Sequence, residues 1–475
     1  MRSLCIVFAL GIFTHFRGLC RHRPRHSIIK ATIRSRYLAL ALGIFTCQVN
    51  GQVKNDFTSK IERYLKPYVE TNNFSGTVLI AKKGEVIFHK AYGLASIELN
   101  VHNDLDTKYH IASVSKTFTA SAILILEQRG LLTTDDLLSK FISDYPSGDK
   151  ITIHHILTHT SGITNVNNLP EYNIASLQHQ TPESLISLFK NKPLEFQPGE
   201  KYQYSNSNYN LLAFIIEKLS GKKYGDFLVE NIFMPLKMTH TFHPDDATQI
   251  IKNVAEGYSP DDNFGLQKAP YLDWSSKTGN GSLVTTTGDL FLWDRALYTG
   301  KILNEKEKTK MFTNYVDSGY GWYLRKKNDR NCIYMNGRSL GFNSHLGRYP
   351  DDDVCVIILS NNYVATANQI GLDLAAIVFN KPIDAPDLKL TKIKKEESQS
   401  VLGKYQFGQD FYQPNFLMTV TEKDGWLYID WGILIPGKSF HFIQRAFWSK
   451  VSFVKDDQEK INSMTIDGFV GKKVQ

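Results

Sequence analysis

Strand-like segments lie at both ends of a long helical stretch, and this arrangement constrains the fold more than any other feature of the chain. The segment SGTVLIAKKGEVIFHKAYGLAS (75–96) predicts a β-hairpin, because two arms with apolar residues flank a turn at Lys82-Lys83-Gly84. Strand-like runs return only far along the chain, at 331–336, 342–349 and 353–360. Helical segments and loops fill most of 131–270 between them. We therefore predict an α/β sandwich whose sheet takes strands from both ends and whose helical lobe is inserted between them.

The last part of the chain differs in character from the rest. A segment rich in Lys, Glu, Asp and Pro (382–399) is followed by 400–475, where strand-like runs alternate with turns. This alternation predicts a small antiparallel β domain, a barrel or half-barrel. A chain of 475 residues is long enough for two domains. We expect a first domain at 52–381, a linker at 382–399 and a second domain at 400–475.

The first 51 residues carry the whole net charge of the chain. They hold eight basic and no acidic side chains, while the full chain has 55 basic and 47 acidic ones, so the rest is balanced. A neutral body favours neither nucleic acid nor an anionic membrane surface as a partner.

The same 51 residues predict a leader. A short apolar run, YLALALGIFT (37–46), follows Arg34-Ser35-Arg36 and precedes the small-residue step Val49-Asn50-Gly51. This layout is typical of a secretory signal peptide, and the run is too short to span a bilayer. We expect the leader at 1–51, a periplasmic or extracellular protein, and no stable membrane span after leader removal. An Arg-rich segment without acidic residues also fits a mitochondrial transit peptide, which is the alternative.

Ser113 and Lys116 stand at the start of an apolar helix in the run YHIASVSKTFTASAILILEQRGLL. Residues three apart share a helical face, so the hydroxyl and the amine can touch. Backbone donors and the dipole at a helix N-terminus favour a developing oxyanion. Burial of Lys116 would disfavour its charged form and let it act as a base. Ser-x-x-Lys occurs elsewhere in the chain, but only this copy follows a strand pair and opens a long apolar helix. It predicts a serine acyl-transfer site.

Tyr204-Ser205-Asn206 precedes a predicted helix at 211–219. A tyrosine near Lys116, held as phenolate, could accept and return the proton of Ser113. Asn206 offers a carbonyl to the lysine and an amide to a substrate. Taken alone, this pattern is more often an ordinary helix-capping loop.

With their flanks, these motifs resemble the serine β-lactamase-related family, which includes class C β-lactamases, penicillin-binding proteins, D-alanyl-D-alanine carboxypeptidases and related esterases. The similarity covers about 57–380, in the family's order and spacing. It rests on IASVSKTFTA (111–120), ITIHHILTHTSGI (151–163), YSNSNYNLLAFIIEKLSG (204–221), FMPLKMTHT (233–241), GSLVTTTGDLFLWDRAL (281–297) and GFNSHLGRYPDDDVCVIILSN (341–361).

The resemblance implies a β-lactamase/transpeptidase-like α/β sandwich with an antiparallel sheet, a helical lobe and a cleft between the lobes. By the same likeness Ser113 is the acylated nucleophile, Lys116 and Tyr204 are the proton-transfer pair, and Asn206 contacts the substrate. The C-terminal domain (400–475) is similar to the lipocalin-like domain that often follows such units.

The third motif of the family is altered. Where relatives carry Lys or His, any residue and Gly, alignment on Gly341-Phe342 places Met335-Asn336-Gly337. Methionine supplies neither charge nor a strong donor, so the cation is missing unless Arg338 or another residue replaces it. Gly337 still allows close backbone approach, and the N–H of Arg338 can then form an oxyanion hole with that of Ser113. Asn336, Gly337 and Arg338 thus join Asn206 as expected substrate-binding residues.

Three other patterns are weaker. Lys277-Thr278-Gly279 spells the third motif but stands too early in the chain. Gly337–Gly341 matches Gly-x-Ser-x-Gly around Ser339, yet that elbow needs a helix after it, and a strand is predicted there. The histidines at 154, 155 and 159 lack the intervening Glu of a zinc motif. We expect neither metal nor cofactor.

The sequence thus predicts an exported serine hydrolase that acts through an acyl-enzyme on an ester or amide, in a small-molecule or peptide substrate. Esterase, D-amino-acid peptidase and β-lactamase-like activities remain open, with a true β-lactamase less expected because of Met335. The main alternative is a weakened or inactive β-lactamase-like binding protein. A second alternative is an α/β-hydrolase that uses Ser339.

Overall fold

The computed structural model describes residues 56–474, apart from 262, 263, 317, 389 and 438. The leader predicted at 1–51 therefore lies outside the described residues. From Ser59 onward the chain forms one compact unit. Within the described part, every helix is too short or too polar to cross a bilayer.

Most of the longer helices lie in the inserted lobe and around the sheet. In chain order the α-helices are α1 (56–70), α2 (Ser115–Gln128), α3 (Ile153–Leu157), α4 (Pro170–Ala175), α5 (Pro182–Phe189), α6 (Asn206–Ser220), α7 (Tyr224–Leu228), α8 (Met234–Leu236), α9 (Thr287–Ala296), α10 (Glu305–Met311), α11 (Ala367–Val378) and α12 (Lys395–Val401). A 3-10 turn, Ala112–Val114, leads directly into α2.

The strands fall into one main sheet, one barrel and three short pairs. In chain order they are β1 (Gly76–Lys82), β2 (Glu85–Tyr92), β3 (Leu94–Ser96), β4 (Val101–His102), β5 (Tyr109–His110), β6 (Tyr258–Pro260), β7 (Leu266–Lys268), β8 (Val284–Thr285), β9 (Tyr323–Lys327), β10 (Arg330–Ser339), β11 (Phe342–Tyr349), β12 (Val354–Ser360), β13 (Gly403–Gln406), β14 (Leu417–Lys423), β15 (Trp426–Ile429), β16 (Gly432–Pro436), β17 (His441–Gln444), β18 (Ser449–Lys455), β19 (Ile461–Ile466) and β20 (Phe469–Lys473).

The main sheet has the order β2-β1-β12-β11-β10-β9 and is antiparallel throughout. β1 pairs with β12 from Gly76–Ser360 onward, so the first strand of the domain lies beside its last. Both strands are almost wholly buried because helices cover both faces of the sheet. α11 packs on β11 and β12, and α9 packs on β1 and β12. The predicted α/β sandwich is confirmed.

The nucleophile helix runs through the interior. Every residue of α2 from Ser115 to Leu126 is buried, which is typical of a helix that is surrounded on all sides. Its hydroxyls are satisfied locally or by the neighbouring loop. The Thr119 hydroxyl donates to the Gly279 carbonyl at 2.7 Å, and that of Ser121 to Thr117 at 2.7 Å. A helix packed in this way gives the residues at its N-terminus a rigid support.

The C-terminal domain is a closed eight-stranded barrel, β13 to β20, in which each strand pairs with its neighbours along the chain. Its interior is filled by buried side chains, chiefly Tyr405, Phe407, Met418, Val420, Leu427, Leu434, Phe442, Val451, Phe453 and Met464. The predicted antiparallel β domain is confirmed, and closure removes the exposed edges that a half-barrel would leave.

β10 is longer than the predicted strand at 331–336. It continues through Gly337-Arg338-Ser339 and turns at Leu340-Gly341 into β11. The prediction stopped early because these three residues interrupt the apolar pattern. The extension carries the strand past the N-terminus of α2.

Candidate active site

Ser113 lies in the 3-10 turn between β5 and α2, and Lys116 lies in the first turn of α2. Ala112 has a φ of +45°, in the left-handed region, where the chain changes direction from strand to helix. The carbonyl of Ile111 accepts a hydrogen bond from the hydroxyl of Ser344 on β11 at 2.7 Å. These contacts hold the half-buried Ser113 against the edge of the sheet.

Two of the side chains predicted for catalysis, those of Lys116 and Tyr204, lie within hydrogen-bond distance of the third, Ser113. Ser113 Oγ is 2.7 Å from the hydroxyl of Tyr204 and 3.1 Å from Nζ of Lys116. Nζ also donates to Oδ1 of Asn206 at 2.9 Å. Two distant segments of the chain, at 113–116 and 204–206, thus converge on one hydroxyl.

The pKa shifts of Lys116 and Tyr204 agree with the prediction for the lysine but not with that for the tyrosine. Lys116 is fully buried, and burial lowers the pKa of its amine well below the usual value, with a smaller contribution from the charge of Lys277. Burial also raises the pKa of Tyr204, and the neighbouring Tyr323 adds to this effect. Burial thus shifts both groups toward their neutral forms. The expected phenolate at Tyr204 is not favoured, because burial and the neighbouring Tyr323 both raise the pKa of its hydroxyl.

Sequence reasoning missed several residues that hold this network. The backbone carbonyl of Asn280 accepts from Lys116 Nζ at 2.5 Å. Oδ1 of Asn167 accepts from the side-chain amide of Asn206 at 2.8 Å, and Oδ1 of Asn165 accepts from its backbone N–H at 3.1 Å. A contact made by a backbone carbonyl depends on no residue type, so no sequence motif could have indicated Asn280.

The third motif lies beside Ser113, as expected from its alignment. A Cβ placed on Gly337 would stand 2.1 Å from the Ile111 carbonyl oxygen and 2.9 Å from the Ser113 nitrogen, so only glycine fits here. Met335 lies on the same face of β10 and is 3% exposed. It lines a small cavity together with Lys116 and Tyr204. The position expected for a cation is occupied by a buried thioether.

The side chains of Asn336 and Arg338 lie on the other face of β10. Successive residues of a strand point to opposite faces, and Asn336 pairs with His345, whose ring packs against α11. The guanidinium of Arg338 donates to the carbonyl of Ala446 in the barrel. Neither side chain reaches Ser113, so Arg338 does not replace the missing cation. This corrects the expectation for both side chains.

The backbone N–H of Arg338 points in a different direction from its side chain. A two-residue turn at Leu340-Gly341 makes Ser339 and Phe342 a hydrogen-bonded pair, and antiparallel pairs alternate along the strands. The N–H of Arg338 therefore points away from β11. β9 stops pairing with β10 at Tyr334, so no strand in the described chain covers this edge. The backbone groups of Asn336 and Arg338 face the open edge beside Ser113.

The residues of the three weaker motifs make structural contacts. Lys277 Nζ stands 5.0 Å from the ring centre of Tyr172. The loop that carries Lys277 contributes the Asn280 carbonyl to the site. Ser339 is followed by a hairpin rather than a helix, so the context of a nucleophile elbow is absent there. The three histidines hold loops. Nδ1 of His155 accepts from the Thr152 N–H in a capping box, Nδ1 of His159 accepts from the Ser205 N–H, and His154 bonds to Tyr320.

Comparison with known proteins identifies the same family that the sequence motifs of the site resemble. The family model named Beta-lactamase matches residues 61–377. The chain is 30% identical over 419 residues to penicillin-binding protein 4* of Bacillus subtilis (strain 168), covering 81% of this chain and 91% of that protein.

Solved structures share the fold. An octameric penicillin-binding protein homologue from Pyrococcus abyssi matches with a TM-score of 0.64 and 24% identity, over 88% of this chain and 100% of that one. D-amino acid amidase from Ochrobactrum anthropi SV3, complexed with D-phenylalanine, matches with a TM-score of 0.62 and 21% identity, over 68% of this chain and 99% of that one. The family model covers well over half of the sequence, so the resemblance is confirmed and the chain belongs to the beta-lactamase family.

Proposed function

We propose that this protein is a serine hydrolase that cleaves an ester or amide through an acyl-enzyme on Ser113. The observation that carries the proposal is the shared hydroxyl: Ser113 Oγ lies 2.7 Å from the Tyr204 hydroxyl and 3.1 Å from Lys116 Nζ. A nucleophile within reach of a buried amine is the arrangement expected for an activated serine. Membership of the beta-lactamase family supports the same class of reaction.

Lys116 acts as the base in this mechanism. A neutral amine has two hydrogens and one lone pair, and two carbonyl oxygens, of Asn206 and Asn280, are in place to accept its hydrogens. The lone pair then faces the hydroxyl proton of Ser113. Tyr204, as a neutral phenol, donates to Ser113 Oγ and relays a proton between the amine and the leaving group.

Acylation and hydrolysis then follow with balanced proton transfers. Ser113 Oγ forms a bond to the carbonyl carbon while its proton moves to Lys116. The backbone N–H groups of Ser113 and Arg338 donate to the oxyanion. Breakdown expels the alcohol or amine, which takes the proton through Tyr204. Water repeats the sequence on the acyl-enzyme and releases the acid.

The surroundings of the site support a substrate with a sizeable acyl group. A cavity of about 730 Å³ lies at the β10–β11 hairpin. It is lined by Leu340, Phe342, Trp274 and His110 and by charged side chains that include Glu256, Lys268 and Asp273. His110 stands three residues before Ser113 and stacks on Trp274 with ring centres 3.5 Å apart. The missing cation at Met335 disfavours substrates that depend on a carboxylate, as β-lactams do. Export through the predicted leader remains part of the proposal.

Met335 also favours a second candidate, a binding protein that keeps the fold without acylation. A buried thioether replaces a group that would assist proton transfer and hold a substrate anion. Loss of one such electrostatic contact costs roughly 2–4 kcal/mol of transition-state stabilisation, which slows an enzyme without abolishing its activity. The hydrolase therefore remains the first proposal.

Active-site labelling tests the proposal. The purified protein is treated with a fluorophosphonate and separately with a fluorescent penicillin, and the adducts are mapped by peptide mass spectrometry. We expect a fluorophosphonate adduct on Ser113 that disappears in Ser113→Ala and persists in the matched control Ser339→Ala. A penicillin adduct as well would indicate peptidase-like or β-lactamase-like substrates, and its absence would favour an esterase. A folded protein without any adduct on Ser113 would establish the binding protein instead.

A further inference from the structure

A turn of the C-terminal barrel contacts the catalytic sheet behind the candidate oxyanion hole. This barrel turn, residues 445–448, connects β17 to β18. The Arg338 guanidinium donates to the carbonyl of Ala446. It also lies between two rings, with its central carbon 3.9 Å from the centre of Tyr363 and 4.7 Å from the centre of Phe447. One side chain of β10 is thus held by a ring of its own domain and by two residues of the barrel turn.

Arg338 is also the residue whose backbone N–H faces the open edge of β10 beside Ser113. Its neighbour Gly337 packs directly under the Ser113 nitrogen. On that edge β9 has already ended its pairing at Tyr334, so among the strands of the described residues only β11 pairs with this part of β10. The contact with the barrel turn adds a second support at the same residue.

The barrel turn is itself fixed to the catalytic domain. The guanidinium of Arg445 is buried and donates to Oδ1 of Asn73 at 3.0 Å and to the carbonyl of Gly265 at 3.1 Å. The indole N–H of Trp448 donates to the carbonyl of Val364. Hydrogen bonds on both sides of Ala446 and Phe447 make the turn a rigid support.

We propose that the barrel turn holds the oxyanion strand in place through Arg338, which is thereby a positioning residue for acylation of Ser113. The inference rests on the proposed function, because it assigns a role in that reaction. An oxyanion donor must lie about 2.7–3.1 Å from the developing charge, so small shifts of its backbone slow the reaction. The barrel therefore contributes to catalysis without contacting the substrate.

The test compares two arginines of the same strand. Arg330, at the other end of β10, also stacks on a ring, with its central carbon 4.2 Å from the centre of Phe379, and pairs with Asp352 at 2.9 Å. In Arg338→Met we expect fluorophosphonate labelling of Ser113 to slow by about 10- to 100-fold. In the control Arg330→Met we expect the rate to stay within about twofold of wild type.

Two further measurements separate positioning from general damage. Binding of phenylboronic acid, which forms a tetrahedral adduct with an active serine, should weaken in Arg338→Met in proportion to the labelling rate. The fluorophosphonate concentration that half-saturates labelling should stay unchanged. It reports the non-covalent binding of the probe before it reacts, and that binding does not use the oxyanion hole. Arg338→Lys, which keeps the charge but not the planar stacking group, should restore only part of the rate.

The outcomes are distinguishable from those of the proposed function. If wild-type Ser113 is not labelled, the hydrolase proposal fails. If wild type is labelled and Arg338→Met reacts at the same rate, the hydrolase stands and the positioning role is overturned. If Arg338→Met does not fold, Phe447→Ala takes its place, with a smaller slowing expected and an unchanged rate counting against the inference.

Discussion

At the scale of residues, the chemistry of the site depends on Lys116. Its amine contacts a hydroxyl, a side-chain amide oxygen and a backbone carbonyl. Among the described residues no carboxylate pairs with it, so no opposite charge offsets the desolvation of its charged form. Lys277, without a carboxylate partner in the described chain, adds repulsion from one side. Burial and the repulsion from Lys277 both favour the neutral form of the Lys116 amine.

We expect the labelling rate of Ser113 to rise with pH through the lowered pKa of Lys116 and then to level off. The reason is that only the deprotonated amine, present above that pKa, can accept the proton. The rate is measured with a fluorophosphonate from pH 5 to 10. Lys277→Met removes the repulsion and should move the midpoint to higher pH, while Lys116→Arg should lose labelling at every pH. A midpoint that Lys277→Met leaves in place would contradict this account.

We expect Gly337→Ala to slow labelling by about 100-fold or more. The added Cβ would stand 2.1 Å from the Ile111 carbonyl oxygen, so the strand or the turn that carries Ser113 must move. Gly300→Ala is the matched control, because a Cβ there meets nothing within 4 Å. Stopped-flow labelling of the three proteins provides the comparison. Equal rates in all three would show that β10 does not depend on close approach at Gly337.

At the scale of elements, an ion pair joins α9 to the main sheet. Nε of Arg348 on β11 lies 2.6 Å from Oδ1 of Asp294 on α9, and both side chains are buried. Arg295 contacts the other carboxylate oxygen at 2.5 Å. Buried charges remain ionised in a protein interior only when they are paired, so each of these side chains depends on the others.

We expect Arg348→Met to lower the free energy of unfolding by roughly 3 kcal/mol, because it leaves Asp294 only partly compensated. Arg330→Met removes a more exposed pair with Asp352, and we expect a loss below about 1 kcal/mol. Urea unfolding followed by circular dichroism measures both. Similar losses in the two variants would show that the buried pair contributes no more than an exposed one.

At the scale of the whole molecule, buried histidines couple folding to pH. Burial lowers the pKa of His110 and of His159 to about 3, and that of His345 to about 4. The unfolded chain, with histidines near 6.5, then binds more protons than the folded protein between pH 6.5 and these lower values. The contribution of these histidines to stability is therefore fully present above pH 6.5 and is lost as the pH drops toward 4.

We expect His110→Phe to flatten this dependence. It removes one of the histidines whose pKa burial lowers, each of which accounts for at most about 1.4 kcal/mol per pH unit, while it keeps an aromatic ring against Trp274. Unfolding free energies at pH 7, 6, 5 and 4 give the slope. His102→Phe, at an exposed position, is the control and should leave the slope unchanged. An unaltered slope in His110→Phe would exclude His110 as a source of acid sensitivity.

The sequence was sufficient for features that depend on local pattern. Ser113 and Lys116 were found because a hydroxyl and an amine three residues apart must share a helical face. Tyr204 and Asn206 were found through motif order, and the structure brings Tyr204 to the Ser113 hydroxyl and Asn206 to the Lys116 amine. The sandwich followed from strands at both ends of the chain, and the barrel from short alternating runs. Each of these depends on the order and periodicity of residue types, which one chain displays.

Only the tertiary structure decided which groups of β10 face Ser113. The side chain of Arg338 points to the barrel and its N–H to the open edge, because pairing with β11 sets the direction of every group along the strand. The Asn280 carbonyl contact, the neutral tendency of Tyr204 and the support from the barrel turn have the same origin. They depend on distance, desolvation and packing between residues far apart in the chain, and these quantities exist only once the chain is folded.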